Sequence, residues 1–207
     1  MRLPRLYPIL DAALFAGEKD PALAMARFAE KLAAGGATLI QLRNKQGTAP
    51  EVLSQAREVR RAAPHVQWVM NDRADLCLAA GFEGVHVGQE DLSPAGARKV
   101  VGEQRCVGVS THNAGQLGAA DEGPADYVAI GPVFATASKD RPEPVVGLEG
   151  VRRARAATRK PLVAIGGITR ANCRGVIEAG ADAVAVISDL RVKPRAAVEE
   201  FLQILQQ

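Results

Sequence analysis

The sequence is short of cysteines, of aromatic residues and of long apolar runs, and each shortage excludes a class of protein. Its 207 residues include three cysteines and only 4% aromatic residues. Cys77, Cys106 and Cys173 are odd in number and far apart, which argues against a disulfide framework or a metal knuckle and favours packing roles. No segment reaches the ~20 apolar residues of a membrane span, and the N-terminus lacks the apolar core of a secretory signal. The sequence therefore predicts a cytoplasmic protein without a membrane partner.

An excess of charge of one sign is also missing. The chain has 26 basic and 23 acidic residues, a net charge of +3, and no basic run is interleaved with aromatic residues. Nucleic acid is therefore not a predicted partner. With 47% hydrophobic and 24% charged residues, the chain has the composition of a globular protein. We predict one domain over residues 1–207 and leave the oligomeric state open, with a homo-oligomer among the alternatives.

Eight short apolar runs recur along the chain, and most are near-continuous rather than alternating. Strands that are buried on both faces have this pattern, which is typical of a parallel sheet covered by helices. The runs are RLYPIL (5–10), TLIQLR (38–43), WVMND (68–72), GVHVG (84–88), CVGVS (106–110), YVAIG (127–131), LVAIGG (162–167) and AVAVI (183–187).

Helical patterns fill the gaps between these runs. Asp20 and Ser93 each precede a proline and predict helix starts, Asn113 and Gln116 resemble a capping box, and Thr169 is a predicted cap of the seventh helix. Eight βα units predict an α/β fold, a single (β/α)8 TIM barrel with its active site at the C-terminal ends of the strands. A doubly wound open sheet is the alternative, but no G-x-G-x-x-G turn follows the first strand.

Polar side chains follow most of the predicted strands, at the end where such barrels carry their active sites. They include Gln41, Arg43, Asn44 and Lys45, then Asn71 and Asp72, then Gln89, Glu90 and Asp91, then Ser110, Thr111 and His112, and finally Ser188. Cations, amides, hydroxyls and two carboxylates in one mouth favour a polyanion bound with a divalent metal, and Asp72 and Asp91 suit Mg²⁺. The alternative for Asp72 is a cap on a helix that begins at Arg73.

Two loops add to this prediction. Gly166 and Gly167 follow the seventh strand, and the loops after the seventh and eighth strands are the recurrent phosphate site of such barrels, so backbone N–H groups of Gly167, Ile168 and Ser188 are candidate phosphate ligands. A tight turn alone is the alternative. The long irregular segment 132–147 is a predicted active-site lid.

The sequence shows no strong pair of nucleophile and base. Ser110 and His112 are two residues apart at a strand end, but no partner carboxylate can be identified. His86 is expected inside the barrel and His65 on the surface. A reaction driven by stabilising a departing anion needs no protein nucleophile.

The motifs together resemble the thiamine-phosphate synthase family, also called thiamine-phosphate pyrophosphorylase. The matching segments are QLRNK (41–45), NDRADL (71–76), GVHVGQEDL (84–92), GVSTH (108–112), DYVAIGPVFATASK (126–139), VAIGGI (163–168) and AVAVIS (183–188). The resemblance implies condensation of 4-amino-5-hydroxymethyl-2-methylpyrimidine diphosphate with hydroxyethylthiazole phosphate, with pyrophosphate departing first and the thiazole nitrogen capturing the cation.

The resemblance also implies a role for each matching residue. Mg²⁺ would be held by Asp72 and Asp91. The pyrimidine diphosphate would be bound by Gln41, Arg43, Lys45, Asn71 and Lys139, and Ser110 would contact the same substrate or the pyrophosphate. The predicted catalytic residues are Arg43, Lys45, Ser110 and Lys139. The thiazole phosphate would be bound by Thr136, Ser138, Gly167, Ile187 and Ser188.

The chain departs from the family pattern in and near the lid. Ala135 stands where the family usually has proline, Ser138 where it has threonine, and Gln116 where it often has glutamate, while Arg141 to Val146 lack the expected glycines. One alternative is the related thiazole tautomerase, expected to carry histidine at the position of Pro132. Another is a non-catalytic phosphate-ligand binding protein, expected to have lost the metal carboxylates.

Overall fold

A closed barrel of eight parallel strands forms the centre of the molecule, with the strands in chain order and β8 pairing with β1. The computed structural model describes residues 3–136 and 143–206. The strands are β1 (Leu6–Asp11), β2 (Leu39–Arg43), β3 (Gln67–Asn71), β4 (Gly84–Val87), β5 (Cys106–Thr111), β6 (Tyr127–Ile130), β7 (Leu162–Ile165) and β8 (Ala183–Val186). The predicted TIM barrel is therefore confirmed, and each predicted strand coincides with an observed one.

A helix follows every strand and packs outside the barrel. The helices are α1 (Pro21–Ala34), α2 (Ala49–Ala62), α3 (Ala74–Ala79), α4 (Pro94–Val101), α5 (Ala114–Glu122), α6 (Gly147–Ala157), α7 (Cys173–Glu178) and α8 (Pro194–Gln206). Short 3-10 helices cover Ala12–Phe15 and Ser188–Leu190. Within the described residues, no helix combines the length and the apolar character that a membrane crossing requires.

The helix starts follow the predicted caps in part. Asp20 accepts a hydrogen bond from the N–H of Leu23 at 3.0 Å, and Ser93 caps α4 in the same way. Asn113 caps α5, but the side chain of Gln116 accepts from the N–H of His112 at 2.7 Å, so the reciprocal bond of the predicted capping box is displaced by one residue.

The predicted cap at Thr169 is wrong. Residues 169–172 form a turn before α7 begins, so the cap position falls at Asn172. In this turn the side chain of Asn172 accepts from the N–H of Thr169 at 2.8 Å.

Apolar side chains pack on both faces of the sheet. One layer fills the barrel, and a larger layer lies between the strands and the helices. All three cysteines are free and buried, and burial raises the pKa of Cys77 and of Cys106 to about 12. The predicted packing role of the cysteines is therefore confirmed.

An ion pair of the same kind occurs three times at the N-terminal end of the barrel. In each copy a carboxylate just before an even-numbered strand accepts from an arginine and from a backbone N–H of the preceding strand. We call these the basal clamps: Arg60–Glu83 with the N–H of Trp68, Arg98–Asp126 with that of Val107, and Arg155–Asp182 with that of Leu162. The strand N–H distances are 2.8, 2.7 and 2.8 Å, so each carboxylate fixes the spacing of two strands and a helix.

Candidate active site

One cavity opens at the C-terminal ends of the strands, and we call it the mouth cavity. Most of the described residues predicted from the sequence to bind substrate or metal line it. These residues are Gln41, Arg43, Lys45, Asn71, Asp72, Ser110, Thr136, Gly167, Ile187 and Ser188. Asp91 does not line the cavity, but it contacts Asp72, which does line it. Ser138 and Lys139 lie outside the described residues, and so does Arg141.

Two cations stand on the β2 side of the cavity. Arg43 forms an ion pair with Asp11, whose carboxylate also accepts from the N–H of Ala13 at 3.1 Å. Asp11 was not predicted from the sequence, although it stands at the end of the first strand, where such barrels carry functional residues; parallel register places it beside Arg43. Lys45 lies with Nζ 2.6 Å from Oδ2 of Asp72, and about half of its side chain is exposed.

Asp72 does not cap a helix, so the alternative stated for it is wrong. Its φ of 63° turns the chain, and α3 begins at Ala74 with Arg73 in the cap position. The backbone N–H of Asp72 donates to the carbonyl of His86 at 2.7 Å, which holds the turn against β4. The side chain is thereby directed toward Lys45 and Asp91 rather than toward the helix.

The two carboxylates share a hydrogen bond. Burial, together with the hydrogen bond to Asp91, raises the pKa of Asp72 to about 6, against the opposing effect of Lys45. Burial also disfavours ionisation of Asp91, but the hydrogen bond from Asp72 and the N–H of Gly88, at 2.7 Å, hold the pKa of Asp91 below its usual range. The pair therefore holds a proton more strongly than an isolated carboxylate does, with the pKa raised at Asp72 and lowered at Asp91.

These donors fit a magnesium ion better than a transition metal. Among residues 3–136 and 143–206 there is no group of three or more His, Cys, Asp or Glu side chains that could hold a metal. Mg²⁺ needs fewer protein ligands, because it takes one or two carboxylates and completes its coordination shell with phosphate oxygens and water. A divalent cation would also favour the charged form of Asp72, which burial and the neighbouring Asp91 disfavour.

Asn71 provides an unused donor at the same side of the cavity. Its Nδ2 atom is buried and has no hydrogen-bond partner in the part of the chain that the structure describes. Buried amide nitrogens are almost always paired, so an unpaired one that lines a cavity is suited to donate to a ligand oxygen.

The glycine pair after β7 packs closely against the start of the lid. Gly166 and Gly167 have φ angles of 102° and 63°, and a Cβ atom on Gly167 would lie 2.5 Å from the carbonyl oxygen of Ala135. Asn172 donates to the carbonyl of Gly167 at 3.0 Å and holds the loop. Only glycine allows this approach, which brings the 166–167 backbone and the lid base to one wall of the cavity.

The two ends of the predicted lid are joined by backbone hydrogen bonds. The N–H of Val146 donates to the carbonyl of Pro132 at 2.9 Å, and the N–H of Gly147 donates to that of Val133 at 3.2 Å. Thr136 and Glu143, on either side of the undescribed stretch 137–142, both line the cavity. Glu143 was not predicted from the sequence, because it belongs to none of the motifs.

A hydrogen-bonded column crosses the barrel interior at the floor of the cavity, and all its members except Tyr127 line the cavity. Its links run from Gln41 Nε2 to Tyr7 OH (3.0 Å), to Tyr127 OH (2.9 Å), to His86 Nδ1 (2.9 Å), and from His86 Nε2 to Ser110 Oγ (2.9 Å). The predicted interior position of His86 is confirmed. The tyrosines were missed, because their meeting depends on register between strands that are distant in sequence.

Ser110 is thus paired with His86 and not with His112, whose Nδ1 contacts the carbonyl of Gly131 at 2.6 Å. The group behind His86 is Tyr127, and burial raises the pKa of this phenol well above its usual value. A neutral phenol cannot stabilise an imidazolium as the carboxylate of a catalytic triad does. The geometry therefore does not favour Ser110 as an activated nucleophile.

Comparison with known proteins agrees with the observed fold and site. The family model described as thiamine monophosphate synthase matches residues 6–190. The chain belongs to the thiamine monophosphate synthase family. The thiamine-phosphate synthase of Koribacter versatilis is 62% identical over 99% of this chain and 97% of its own, and that of Methanoregula boonei is 45% identical over 94% and 88%.

A solved structure of the same family has the same fold. The thiamine phosphate pyrophosphorylase of Pyrococcus furiosus superimposes with a TM-score of 0.84 at 30% identity, covering 98% of this chain and 95% of its own. In the present member of the thiamine monophosphate synthase family, Pro132 lines the cavity at the position where a tautomerase is expected to carry histidine, and both carboxylates predicted to bind the metal lie together at the cavity.

Proposed function

We propose that this chain condenses 4-amino-5-hydroxymethyl-2-methylpyrimidine diphosphate with hydroxyethylthiazole phosphate to give thiamine phosphate and pyrophosphate. Family membership supports this reaction. The observation that carries it at the level of the site is the division of the mouth cavity: Arg43, Lys45 and the carboxylate pair lie near β2 to β4, and the 166–167 loop and Ser188 lie near β7 and β8. The cavity can thus receive two phosphorylated substrates from opposite sides.

The reaction forms one bond and breaks one. The bond between the pyrimidine methylene carbon and the diphosphate oxygen breaks first, and its electron pair leaves with pyrophosphate. The lone pair of the thiazole nitrogen then forms the new carbon–nitrogen bond, which makes the ring a thiazolium. This sequence needs stabilisation of the leaving anion and no protein nucleophile, in agreement with the pairing of Ser110.

On the diphosphate side, Arg43 and Lys45 would bind the phosphate oxygens and become more effective as negative charge develops on them. Asp11 holds the guanidinium of Arg43, and Asn71 would donate its unpaired N–H to the same group. By the family pattern Lys139 would join them. Asp72 and Asp91 would hold Mg²⁺, which when bound supplies further charge neutralisation to the diphosphate.

On the opposite side, the thiazole phosphate would meet the backbone N–H groups of Gly167, Ile187 and Ser188, with Thr136 and, by the family pattern, Ser138. Gln41 lines the cavity on β2, two residues before Arg43, and Ser110 lines it on β5, between the two anion sites, so we assign both to the pyrimidine ring. The cytoplasm is the compartment we propose, because its reducing conditions suit the free buried cysteines.

The test is to incubate the purified protein with both substrates, with and without Mg²⁺, and to assay thiamine phosphate after oxidation to fluorescent thiochrome. We expect metal-dependent product from the natural chain and none above background from Asp91→Ala, which should still bind thiazole phosphate. Glu178→Ala, which changes an exposed carboxylate on α7, serves as the matched control and should keep full activity. Absence of product from the natural chain with both ligands bound would overturn the proposal.

A further inference from the structure

The hydrogen-bonded column of Gln41, Tyr7, Tyr127, His86 and Ser110 has a direction that follows from its donors. The amide nitrogen of Gln41 can only donate, so Tyr7 OH accepts there. The distance between the two hydroxyls fits either one as donor; Tyr7 is assigned as the donor because, among the described residues, the oxygen of Tyr127 is the acceptor within hydrogen-bond distance of its buried hydrogen. Tyr127 then donates to Nδ1 of His86. An imidazole that accepts at Nδ1 is neutral and carries its proton on Nε2, which donates to Ser110 Oγ.

Each end of the column therefore presents a polar group in a fixed orientation to the mouth cavity. Gln41 donates one of its two Nε2 hydrogens to Tyr7, which fixes the amide and keeps the carbonyl oxygen Oε1 as an acceptor. Ser110 Oγ accepts from Nε2 of His86, so its hydroxyl hydrogen is available as a donor. Gln41 is 3% exposed and Tyr127 is 1% exposed, so water cannot readily exchange these partners.

The column depends on one glycine. Parallel register places Gly108 of β5 between His86 of β4 and Tyr127 of β6. A Cβ atom on Gly108 would lie 2.0 Å from Cζ of Tyr127, so the tyrosine ring occupies the space that a side chain would fill. The ring stacks on His86 with centroids 5.5 Å apart and meets Tyr7 edge-on at 6.1 Å.

We propose that Tyr127 is a positioning residue that fixes the hydrogen-bonding polarity of the mouth cavity, with Gln41 as an acceptor and Ser110 as a donor. The ligand that this pattern selects is a heteroaromatic ring with an amino group, which donates to Gln41, and with an acceptor atom within reach of Ser110. The assignment of that ring to the pyrimidine substrate rests on the proposed function. The polarity itself does not, because it follows from the protein's own hydrogen bonds.

The polarity can be measured without substrate. The chain has three histidines, so the ring nitrogens of ¹⁵N-labelled protein can be resolved by NMR and assigned to His86 by their loss in His86→Gln. We expect a neutral ring protonated at Nε2 in the natural chain and in Tyr7→Phe, because Tyr127 still donates to Nδ1 in that variant. In Tyr127→Phe the donor is gone, and we expect a mixture of tautomers. A ring protonated at Nδ1 in the natural chain would overturn the proposal.

Kinetics give the second measurement. For Tyr127→Phe and for Tyr7→Phe we expect KM for the pyrimidine diphosphate to rise about tenfold while kcat changes by less than about threefold and KM for thiazole phosphate is unchanged. Both variants should also discriminate less against a pyrimidine diphosphate that lacks the amino group. An unchanged KM and unchanged discrimination in both would overturn the positioning role.

Thr158→Val is the matched control for loss of a buried hydroxyl. Thr158 is 4% exposed and donates to Asp121 at the opposite end of the barrel, so its removal should alter neither the His86 tautomer nor KM. If the natural chain makes no thiamine phosphate but His86 shows the expected tautomer, the proposed function fails and the polarity stands. If the product forms but the tautomer is reversed, the polarity fails alone.

Discussion

At the N-terminal end of the barrel, the carboxylates of Glu83, Asp126 and Asp182 each accept from an arginine and from a strand N–H, whereas at the C-terminal end Asp72 and Asp91 lie against each other. The first arrangement satisfies every charge. The second raises the pKa of one carboxylate because burial and a like group both oppose its ionisation. The carboxylates at the N-terminal end of the barrel therefore stabilise the fold, whereas the carboxylate pair at the C-terminal end is left for a ligand to neutralise.

The largest expected effect on activity is that of replacing one carboxylate of the Asp72 and Asp91 pair. We expect Asp72→Asn to lower kcat/KM by on the order of 100-fold, since an amide is a poorer ligand for Mg²⁺ than a carboxylate. The same variant should be more stable than the natural chain in EDTA at pH 8, because it cannot carry the disfavoured charge. After allowance for solvent screening we expect about 1 kcal/mol, or a Tm higher by roughly 2–4 °C.

Calorimetry in EDTA and the thiochrome assay measure the two changes in Asp72→Asn. A fall in both stability and activity would mean that the Lys45 ion pair outweighs the cost of burying the Asp72 charge beside Asp91, and the contrast between the two ends of the barrel would not hold.

A basal clamp should show the opposite pattern. Asp126→Ala leaves the N–H of Val107 and the guanidinium of Arg98, whose side chain is 11% exposed, without their carboxylate. We expect a loss of about 2 kcal/mol in the free energy of unfolding, measured by urea titration, with kcat at 25 °C unchanged. Glu149→Ala, which breaks only exposed pairs on α6, should lie within about 0.5 kcal/mol of the natural chain. A drop in kcat without loss of stability would contradict the division of roles.

The ion pair between Asp11 and Arg43 lies at the C-terminal end of the barrel, and replacing Asp11 tests whether this pair serves function. We expect Asp11→Asn to free Arg43 and to raise KM for the pyrimidine diphosphate about tenfold, with KM for thiazole phosphate unchanged. Asp20→Asn is the matched control, because asparagine caps a helix as well as aspartate does. Equal KM values in the two variants would remove Asp11 from the positioning of Arg43.

Much of the fold could be predicted, because the strands of a buried parallel sheet appear in the sequence as apolar runs. The run 84–88, for example, became β4 at Gly84–Val87. The site residues could be placed at strand ends, but their partners could not. Asp72 was open to interpretation as a cap until its φ of 63° was seen, since aspartate is favoured both at helix caps and at positive φ, and the residue type alone does not separate the two.

The contacts of the column were beyond prediction for another reason. Tyr7 and Tyr127 are 120 residues apart, and their hydroxyls meet only because the barrel closes and Gly108 leaves room. The glycine at 108 was visible in the sequence as part of an apolar strand. What it makes room for depends on register across two strand pairs, which a single sequence does not contain.

The smallest expected effect is the pH dependence of metal binding, and it separates the two ends of the barrel most directly. The pKa of Asp72 is raised in the folded chain, so its contribution to stability is fully present below the unfolded value of about 3.9 and is lost as pH rises through about 6. Mg²⁺ must displace this proton, so its affinity should be about tenfold weaker at pH 5 than at pH 7.5.

We therefore expect Mg²⁺ to raise Tm more at pH 7.5 than at pH 5, measured by differential scanning fluorimetry at equal metal concentration. Asp72→Asn should abolish the pH dependence, whereas Asp126→Ala should lower Tm at both pH values and leave the metal-induced difference intact. A metal shift of equal size at both pH values in the natural chain would place the titrating proton elsewhere than on the Asp72 and Asp91 pair.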